Sequence, residues 1–269
     1  MENRHIKFIR YFLRYPYLTS KYLFYKKILK KEEIKYKGLI IKSALFYDIV
    51  EKRIKLNKIE KISEYEFIYE IPNLGKFYVK DSNTPAPMDQ LSDYNILNVK
   101  DKVVLDIGAY IGDSAIYFIR RGAKKVYAYE AVKEFYEIML KNIELNNLQD
   151  KIISISYGVD CSNGKNYINL GGEASGLKEG DIEINLKSIK DIFEEIYKKE
   201  GEFITKIDCE GCEYSLLCLP DEMLKYSKEY IIEIHGSPQT IISKFTRNGY
   251  KFRKVHEFYE WIKVYYFYL

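Results

Sequence analysis

From about residue 100 onward, short apolar runs alternate with longer stretches whose apolar positions recur every three to four residues. The short runs are typical of strands buried on both faces of a sheet, and the longer stretches are typical of amphipathic helices. This alternating order predicts right-handed βαβ units around a parallel sheet. The pattern predicts strands at 103–107, 126–130, 152–157, 203–207 and 230–235, helices at 113–121, 132–146, 187–199, 213–225 and 238–248, and further strands at 166–170, 251–255 and 261–268.

The first part of the chain has a different pattern. Residues 1–60 contain few helix-breaking residues and are predicted to be helical. Residues 65–80 alternate in polarity around a central Asn-Leu-Gly turn, which predicts a β-hairpin. We therefore predict a helical, basic and aromatic N-terminal extension over 1–64 and an α/β domain over 65–269 that begins with this hairpin.

Positive charge is concentrated at the start of the chain. Residues 1–60 hold 16 Lys and Arg against 6 Asp and Glu, although the net charge of the whole chain is only +4. Bases mix with aromatic residues at roughly helical spacing in 6–15 and 21–31. Such stretches can contact an anionic membrane surface or nucleic acid. We favour the alternative that two helices pack their apolar faces on the α/β domain and leave their lysines in solvent.

The sequence lacks an apolar run of 18 residues and a clean signal-peptide pattern, so neither a membrane-spanning helix nor a secretory signal is expected. We therefore expect a cytoplasmic protein, with peripheral membrane contact through residues 1–31 as an alternative. The few, clustered cysteines are typical of a reduced, intracellular protein. For the Cys-x-x-Cys pair we favour two small residues in an acidic turn over a metal or redox role. The cysteines are Cys161, Cys209, Cys212 and Cys218.

A glycine-containing turn follows the first strand of the predicted sheet. Asp106 lies near the end of that strand, and Gly108 lets the chain turn where a Cβ would force an unfavourable φ. Gly112 lets the following helix lie close to the sheet or to a ligand. Glu130 ends the next strand, 22 positions after Gly108, about where such folds place an acid that accepts hydrogen bonds from ribose hydroxyls. The stretch therefore predicts a nucleotide- or nucleoside-binding site.

The side chains of this turn favour one kind of ligand. Tyr110 and Asp113 stand where the dinucleotide fingerprint has glycine. The tyrosine obstructs the approach of a pyrophosphate, and a carboxylate at the start of a helix competes for the anion site. Together with the charge of Asp106, they favour a ligand with a ribose and a positive charge but without phosphates. S-adenosylmethionine, with its sulfonium and amino groups, meets this description.

Carboxylates and a histidine follow the later strands. An apolar strand delivers Asp208 to the carboxyl edge of the sheet, and Glu210 and Glu213 follow in the next turn. Period-two alternation places Glu233 and His235 on one face of the following strand, with His235 at its ligand-binding end. Open α/β sheets bind ligands at the carboxyl ends of their strands, so these residues are candidates for catalysis.

Taken in order, several motifs between about residues 95 and 240 resemble the FkbM family of class I S-adenosylmethionine-dependent methyltransferases. The resemblance implies an α/β, Rossmann-like fold with a mostly parallel seven-stranded sheet whose last strand is antiparallel. It also implies O-methylation of a hydroxyl on a sugar, glycolipid or other small molecule. Tyr110 departs from the asparagine that the family often has, and Ala131-Val132 replaces a common proline. The motifs are Asp106-Ile-Gly108-Ala-Tyr-Ile-Gly112, Glu130, Asn142-Ile-Glu-Leu-Asn146-Asn147, Lys206-Ile-Asp208-Cys-Glu210-Gly211-Cys-Glu213 and Glu233-Ile-His235.

These motifs assign roles to individual residues. His235 is the expected general base, because imidazole titrates near neutrality. Asp208 and Glu210 are alternative bases, or ligands of a divalent cation, which is the less favoured reading, so no metal ligand is assigned. The residues expected to bind the cofactor are Asp106, Gly108, Ala109, Tyr110, Ile111, Gly112, Asp113, Glu130, Ala131, Gly158 and Asp208.

Two other functions remain open. An RNA methyltransferase could use the basic N-terminal segment, but a base-amine motif of the Asn/Asp-Pro-Pro-aromatic type is missing after Asp208, and the acidic turn there would repel phosphates. A catalytically silent protein that binds a partner has no need of the acids Asp106, Glu130 and Asp208. We therefore expect a small-molecule or glycan acceptor and disfavour nucleic acid, and the sequence predicts no oligomeric state.

Overall fold

The computed structural model of the chain describes residues 33–36, 38–42, 58–63, 66–80, 89–168 and 182–269. The chain divides into two compact units, Met1–Asp89 and Gln90–Leu269. In the part of the chain that is described, no helix is long and apolar enough to cross a membrane.

The first unit contains antiparallel strands. Strands β1 and β2 pair as a hairpin, and β3, β4 and β5 form a three-stranded sheet in that order. Alternation on β4 places Phe67 and Tyr69 in the core of this sheet, which is the pattern expected of a half-buried strand. The bounds are β1 Glu33–Tyr36, β2 Leu39–Lys42, β3 Lys58–Lys61, β4 Glu66–Ile71 and β5 Gly75–Lys80.

The strands of this unit correct the helical expectation for the N-terminal extension. Three of them, β1, β2 and β3, fall inside the stretch predicted to be helical. The predicted hairpin at 65–80 is confirmed as β4 and β5, but it belongs to the first unit and does not lead the second one. The basic, aromatic stretches 6–15 and 21–31 lie outside the described residues, so their predicted amphipathic helices stay predictions.

The second unit is built on a seven-stranded sheet with the strand order β14-β15-β13-β12-β6-β7-β8. Strands β8, β7, β6, β12 and β13 are parallel, and β15 is antiparallel to both of its neighbours. The predicted mostly parallel seven-stranded sheet with an antiparallel last strand is therefore confirmed. The bounds are β6 Val103–Ile107, β7 Lys125–Tyr129, β8 Ile152–Ile155, β12 Phe203–Ile207, β13 Ser227–His235, β14 Lys251–Tyr259 and β15 Ile262–Tyr268.

Helices cover the sheet, as the alternating pattern predicts. The stretch predicted as one helix at 213–225 is instead a 3-10 helix, Cys212–Cys218, followed by a short α-helix. The break comes at Pro220, which excludes helical backbone at the residue before it, and Leu219 accordingly has ψ of 131°. The α-helices are α1 Asp113–Arg120, α2 Lys133–Leu145, α3 Ile189–Glu200, α4 Asp221–Leu224 and α5 Gln239–Arg247, and a further 3-10 helix covers Asp89–Ile96.

A small second sheet with the strand order β10-β11-β9 lies between β8 and α3 in sequence. Its strands are β9 Gly158–Asp160, β10 Gly164–Ile168 and β11 Ile182–Ser188. Strand β11 was not predicted, although Ile182, Ile184 and Leu186 show the period-two spacing of a strand. Ile184 and Leu186 pack in a buried cluster with Val132.

The core of the second unit joins α3 and α5 to the central strands. Phe193 of α3 meets the ring of Phe203 edge to face at 5.1 Å, and Phe245 of α5 does the same with Tyr230 at 4.8 Å. Such aromatic contacts add to the large apolar area that these side chains bury. The core therefore fixes the directions of β12 and β13, whose carboxyl ends carry the candidate catalytic residues.

The cysteines are paired, which corrects the expectation that they are reduced. Cys209 is bonded to Cys212, and Cys161 is bonded to Cys218 across 57 residues of chain. The Cys161–Cys218 pair could not be predicted from spacing, because only the fold brings the bend after β9 next to the end of the 3-10 helix Cys212–Cys218. The two bonds constrain the turn that contains Glu210 from both sides.

Loss of the long-range disulfide is expected to destabilise the protein. Cys161→Ser and Cys218→Ser should each lower the free energy of unfolding by about 2–4 kcal/mol, because the bond closes a loop of 57 residues in the unfolded chain. The double variant should lose no more than either single variant. Urea denaturation measures this, and additive losses in the double variant would contradict the pairing.

Candidate active site

The carboxyl ends of four adjacent parallel strands meet at one edge of the large sheet. In spatial order these strands are β13, β12, β6 and β7. The turns that follow β6 and β12 are in direct contact, because the N–H of Asp208 donates a hydrogen bond to the carbonyl of Ile107 at 3.0 Å. The two sequence motifs therefore form one site.

A buried ion pair lies beneath this edge. Asp106 of β6 and Lys206 of β12 are partners in the parallel register, and their Oδ1 and Nζ atoms are 3.0 Å apart. Both side chains are at most 2% exposed. The hydroxyl of Ser114 donates a hydrogen bond to the second oxygen of Asp106 at 2.6 Å, and Lys206 donates one to the carbonyl of Gly108 at 2.6 Å. The pair thus anchors the backbone of the glycine turn.

The ion pair changes the role predicted for Asp106. Burial lowers the pKa of Lys206, but the charges of Asp106 and Asp208 outweigh burial and raise it, so the ammonium stays charged. The negative charge of Asp106 is therefore neutralised inside the protein, and its side chain has no exposed surface for a ligand. Asp106 supports the turn after β6 through Lys206, and its contact with the cofactor stays a prediction. Lys206 belongs to one of the motifs that resemble the FkbM family, but its pairing with Asp106 was not predicted from the sequence.

The two glycines of the turn are needed for close packing. Gly108 has φ of +76°, and a Cβ at this position would lie 1.7 Å from the carbonyl oxygen of Asp208. Gly112 has φ of +84°, and a Cβ there would lie 2.8 Å from Met139 of α2. Gly108 thus allows the two catalytic turns to touch, and Gly112 allows α2 to approach the start of α1.

Glu130 holds the backbone of the same turn. Its two carboxylate oxygens accept hydrogen bonds from the N–H groups of Tyr110 and Val132, both at 2.8 Å. Tyr110 has φ of 53°, a left-handed conformation that is uncommon for a bulky residue, and its ring packs on Phe135 at 4.9 Å. Each oxygen of Glu130 retains a lone pair for a ribose hydroxyl. Burial raises the pKa of Glu130 to about 7, which backbone hydrogen bonds oppose only in part.

The other residues predicted to bind the cofactor surround this turn. Ala109 and Ile111 are fully buried. The backbone of Ile111 is fixed by Asn142, whose amide donates to its carbonyl at 2.8 Å. Asp113 is buried at the start of α1, and its carboxylate accepts from the N–H of Ser114. Ala131 and Gly158 lie next to each other beyond Glu130: a Cβ at 158 would be 3.4 Å from that of 131.

Asp208 has its own partner, which sequence analysis also missed. The hydroxyl of Tyr94, on the 3-10 helix Asp89–Ile96, donates a hydrogen bond to the Asp208 carboxylate at 3.1 Å. Burial raises the pKa of Tyr94 well above its usual value, and the charge of Asp208 adds to this effect. Tyr94 therefore stays neutral and acts as a donor that orients Asp208. It lies more than 100 residues away in sequence, so spacing gave no signal for it.

The remaining acids converge on His235. Glu213 is fully buried and accepts hydrogen bonds from the backbone N–H groups of Gly211 and His235, both at 2.8 Å. Its Oε1 also lies 3.3 Å from Nδ1 of the His235 ring. On the other side of the ring, Nε2 lies 3.2 Å from Glu210 Oε2 and 3.3 Å from Glu233 Oε1. Of the three predicted catalytic residues, the structure thus joins His235 and Glu210 and pairs Asp208 with Tyr94.

This environment sets the charge of the imidazole. Burial lowers the pKa of His235, but the neighbouring carboxylates of Glu213, Glu233 and Glu210 raise it to about 10. Burial and the charge of Asp208 in turn raise the pKa of Glu233 to about 7. An imidazolium cannot accept a proton, so the base role predicted for His235 requires that the ring first lose this proton or exchange it for another cation.

A comparison with protein families identifies the fold that carries this site. The family model of the "Methyltransferase FkbM domain" matches residues 106–259, which include the glycine turn, Glu130, the acidic turn and His235. The chain belongs to this family. The predicted family and the predicted class I methyltransferase fold are therefore confirmed, and the methyltransferase activity stays a prediction.

Individual proteins resemble parts of the FkbM chain. A stretch of 88 residues is 41% identical to a histone-arginine methyltransferase, CARMER, of Drosophila mojavensis, and covers 33% of this chain and 15% of that protein. A stretch of 143 residues is 28% identical to an uncharacterized protein of Sulfolobus islandicus rod-shaped virus 1 and covers 53% of this chain. The chain spans 15% and 66% of the lengths of these two relatives.

Two solved structures resemble this chain at low sequence identity. A putative SAM-dependent methyltransferase from Streptococcus mutans has a TM-score of 0.50 and 13% identity, with 78% of this chain and 57% of that chain covered. M. jannaschii TYW2, solved in complex with AdoMet, has a TM-score of 0.47 and 18% identity, with 88% and 97% covered. S-adenosyl-L-methionine stays the predicted cofactor of the FkbM chain, and the free lone pairs of the Glu130 carboxylate can accept hydrogen bonds from its ribose hydroxyls.

Removing one partner of the buried ion pair is expected to destabilise the protein strongly. Lys206→Met should lower the free energy of unfolding by about 3–5 kcal/mol, because it leaves the Asp106 carboxylate buried without a counter-charge. The double variant Asp106→Asn/Lys206→Met should recover part of this loss. Chemical denaturation measures both effects, and Lys228→Met, at an exposed pair with Glu202, serves as the control with a change within about 0.5 kcal/mol. Equal losses in the buried and exposed variants would contradict the proposed anchor.

Donor affinity is expected to depend on the ionisation of Glu130. Only the carboxylate accepts hydrogen bonds from both ribose hydroxyls, and the pKa of Glu130 is raised to about 7. The wild type should therefore lose about tenfold in affinity for S-adenosylmethionine, relative to Glu130→Gln, as the pH falls from 8 to 6. Calorimetric titration across this range measures the ratio, which also cancels the titration of the donor itself. A ratio that stays constant would show that Glu130 does not contact the ribose.

Proposed function

We propose that this FkbM methyltransferase transfers the methyl group of S-adenosylmethionine to a hydroxyl oxygen of a small molecule or glycan. The observation that supports this most strongly is the group of carboxylates around His235 and Asp208, directly beside the glycine turn. Carboxylates accept hydrogen bonds from the hydroxyls of a sugar-like acceptor. The same charges repel a phosphate-rich acceptor.

The donor side of the reaction requires mainly alignment. The sulfonium of S-adenosylmethionine already activates the methyl group, and the protein has to hold donor and acceptor in line for displacement. Glu130 is assigned to the ribose, and the backbone of the turn from Gly108 to Gly112 is assigned to the rest of the donor. Contact between the turns after β6 and β12 places the acceptor acids within reach of this donor site.

The acceptor side requires removal of a proton. Asp208 is held by Tyr94 and is assigned to orient the acceptor or to receive its proton. Burial and neighbouring acids raise the pKa of Glu210, and they raise the pKa of Glu233 to about 7, so Glu233 can accept a proton near neutral pH. His235 completes this network.

RNA methylation is the second candidate, on the strength of the basic residues 1–60. It meets an obstacle at the site itself, where the turn after β12 carries carboxylates and offers no cation to a phosphate. Cytoplasmic localisation and contact of residues 1–31 with a membrane surface remain proposals that rest on composition alone.

Donor binding and acceptor class can be tested together. The wild type should bind S-adenosylmethionine in calorimetry, Glu130→Ala should bind it at least tenfold more weakly, and Glu134→Ala, an exposed acid on α2, should bind as the wild type does. Transfer of a radioactive methyl group should then be detected on a panel of glycans and polyhydroxylated small molecules. Label on transfer RNA with none on the hydroxyl compounds would replace the proposed acceptor by the second candidate.

A further inference from the structure

We propose that Glu210, Glu233 and His235 form a binding site for one divalent transition-metal ion. These residues lie at the carboxyl ends of β12 and β13. The ion would hold the acceptor hydroxyl, and this part of the inference rests on the proposed function. The binding site itself follows from the geometry of the three side chains alone.

Two of the three distances between the possible ligand atoms match those around a metal ion. Nε2 of His235 lies 3.2 Å from Glu210 Oε2 and 3.3 Å from Glu233 Oε1, and all three atoms lie within 4.8 Å of one another. Ligands about 2.1 Å from one ion, at angles of roughly 90° to 110°, are about 3.0–3.4 Å apart. A small inward shift of the two carboxylates would complete the coordination.

The imidazole is already oriented as a ligand. Its Nδ1 faces the fully buried carboxylate of Glu213 at 3.3 Å, and the same carboxylate accepts from the backbone of His235 and Gly211. Ligating histidines typically donate their second N–H to such a carboxylate, which fixes the tautomer and the ring plane. With the proton on Nδ1, the lone pair of Nε2 points toward Glu210 and Glu233.

That arrangement needs a positive charge between the three groups. Among the residues that the structure describes, Nε2 of His235 and Oε2 of Glu210 are buried polar atoms without a hydrogen-bond partner. A proton on Nε2 would have no acceptor in hydrogen-bond geometry, although two carboxylates lie at ion-pair distance. A metal ion would satisfy the buried nitrogen and both oxygens at once, and buried polar atoms are rarely left unsatisfied.

The backbone holds Glu210 in place over the ring. Glu210 has φ of 55° and is followed by Gly211 with φ of 120°, so the turn adopts an uncommon conformation at this residue. The Cys209–Cys212 disulfide encloses both residues and restrains them. Left-handed non-glycine residues concentrate at ligand sites, where the surrounding structure enforces them.

The three ligand side chains indicate which metal ion binds. Two carboxylates with one imidazole suit Mn²⁺ or Zn²⁺, whereas Mg²⁺ and Ca²⁺ prefer oxygen ligands alone. Three protein ligands leave coordination positions open for water or an acceptor hydroxyl. An ion at this site would let the acceptor hydroxyl lose its proton more readily, to Asp208 or to solvent. The oxygen would then form a bond to the methyl carbon while the bond from that carbon to the sulfonium sulfur breaks and S-adenosylhomocysteine leaves.

The test is a titration of the chelator-treated protein with Mn²⁺. Electron paramagnetic resonance measures the concentration of unbound Mn²⁺ at each step. We expect one Mn²⁺ per chain in the wild type, at least tenfold weaker binding in Glu233→Gln and in His235→Gln, and unchanged binding in the control Glu222→Gln, an exposed acid on α4. A tenfold excess of Mg²⁺ should not displace the bound Mn²⁺.

Calorimetric titration with S-adenosylmethionine in the absence of metal distinguishes failure of the metal site from failure of the proposed function. Retained S-adenosylmethionine binding in the two ligand variants would show that they are folded. Stoichiometric Mn²⁺ binding that is lost only in these variants supports the site, even if hydroxyl acceptors receive no label. Absence of Mn²⁺ binding in the wild type, or equal binding in Glu233→Gln and Glu222→Gln, overturns the site while the proposed methyl transfer stands.

Discussion

The buried pair of Asp106 and Lys206 is the interaction on which the functional edge of the sheet depends. It connects two neighbouring strands, and the ammonium also holds the carbonyl of Gly108, from which the cofactor turn departs. Two charges removed from water are stable only when they are paired and hydrogen-bonded, so each partner fixes the position of the other. The pair therefore restricts how β6 and β12 can lie next to each other.

Charge is treated differently on the two sides of this edge. Near the donor, Asp106 is neutralised by Lys206, and Glu130 is occupied in part by backbone N–H groups. Near the acceptor, Glu210, Glu213 and Glu233 share the single imidazole of His235. Three carboxylates around one imidazole leave this side with excess negative charge. A cation or the hydroxyl groups of a polyhydroxylated ligand can stabilise that charge.

The alternation of strands and helices was predicted well, because buried positions follow a short local pattern of apolar residues. The strands 103–107 and 203–207 have the predicted bounds, since each is a short apolar run between polar residues. Gly108 and Gly112 were recognised because a positive φ excludes most other residues. Interactions between segments that are distant in sequence produce no local pattern of this kind. The pairs Tyr94 with Asp208, Cys161 with Cys218 and Lys206 with Asp106 form only in the completed fold.

The contact between Gly108 and the carbonyl of Asp208 has a consequence for communication within the enzyme. Since no side chain separates the two turns, a displacement of the backbone that holds the donor must be accompanied by a displacement of the backbone that carries Asp208 and Glu210. Affinity for one ligand is then thermodynamically linked to affinity for the other, and linkage is reciprocal. An occupied donor pocket would thus prepare the acceptor pocket without any hinge, lid or movement of a domain.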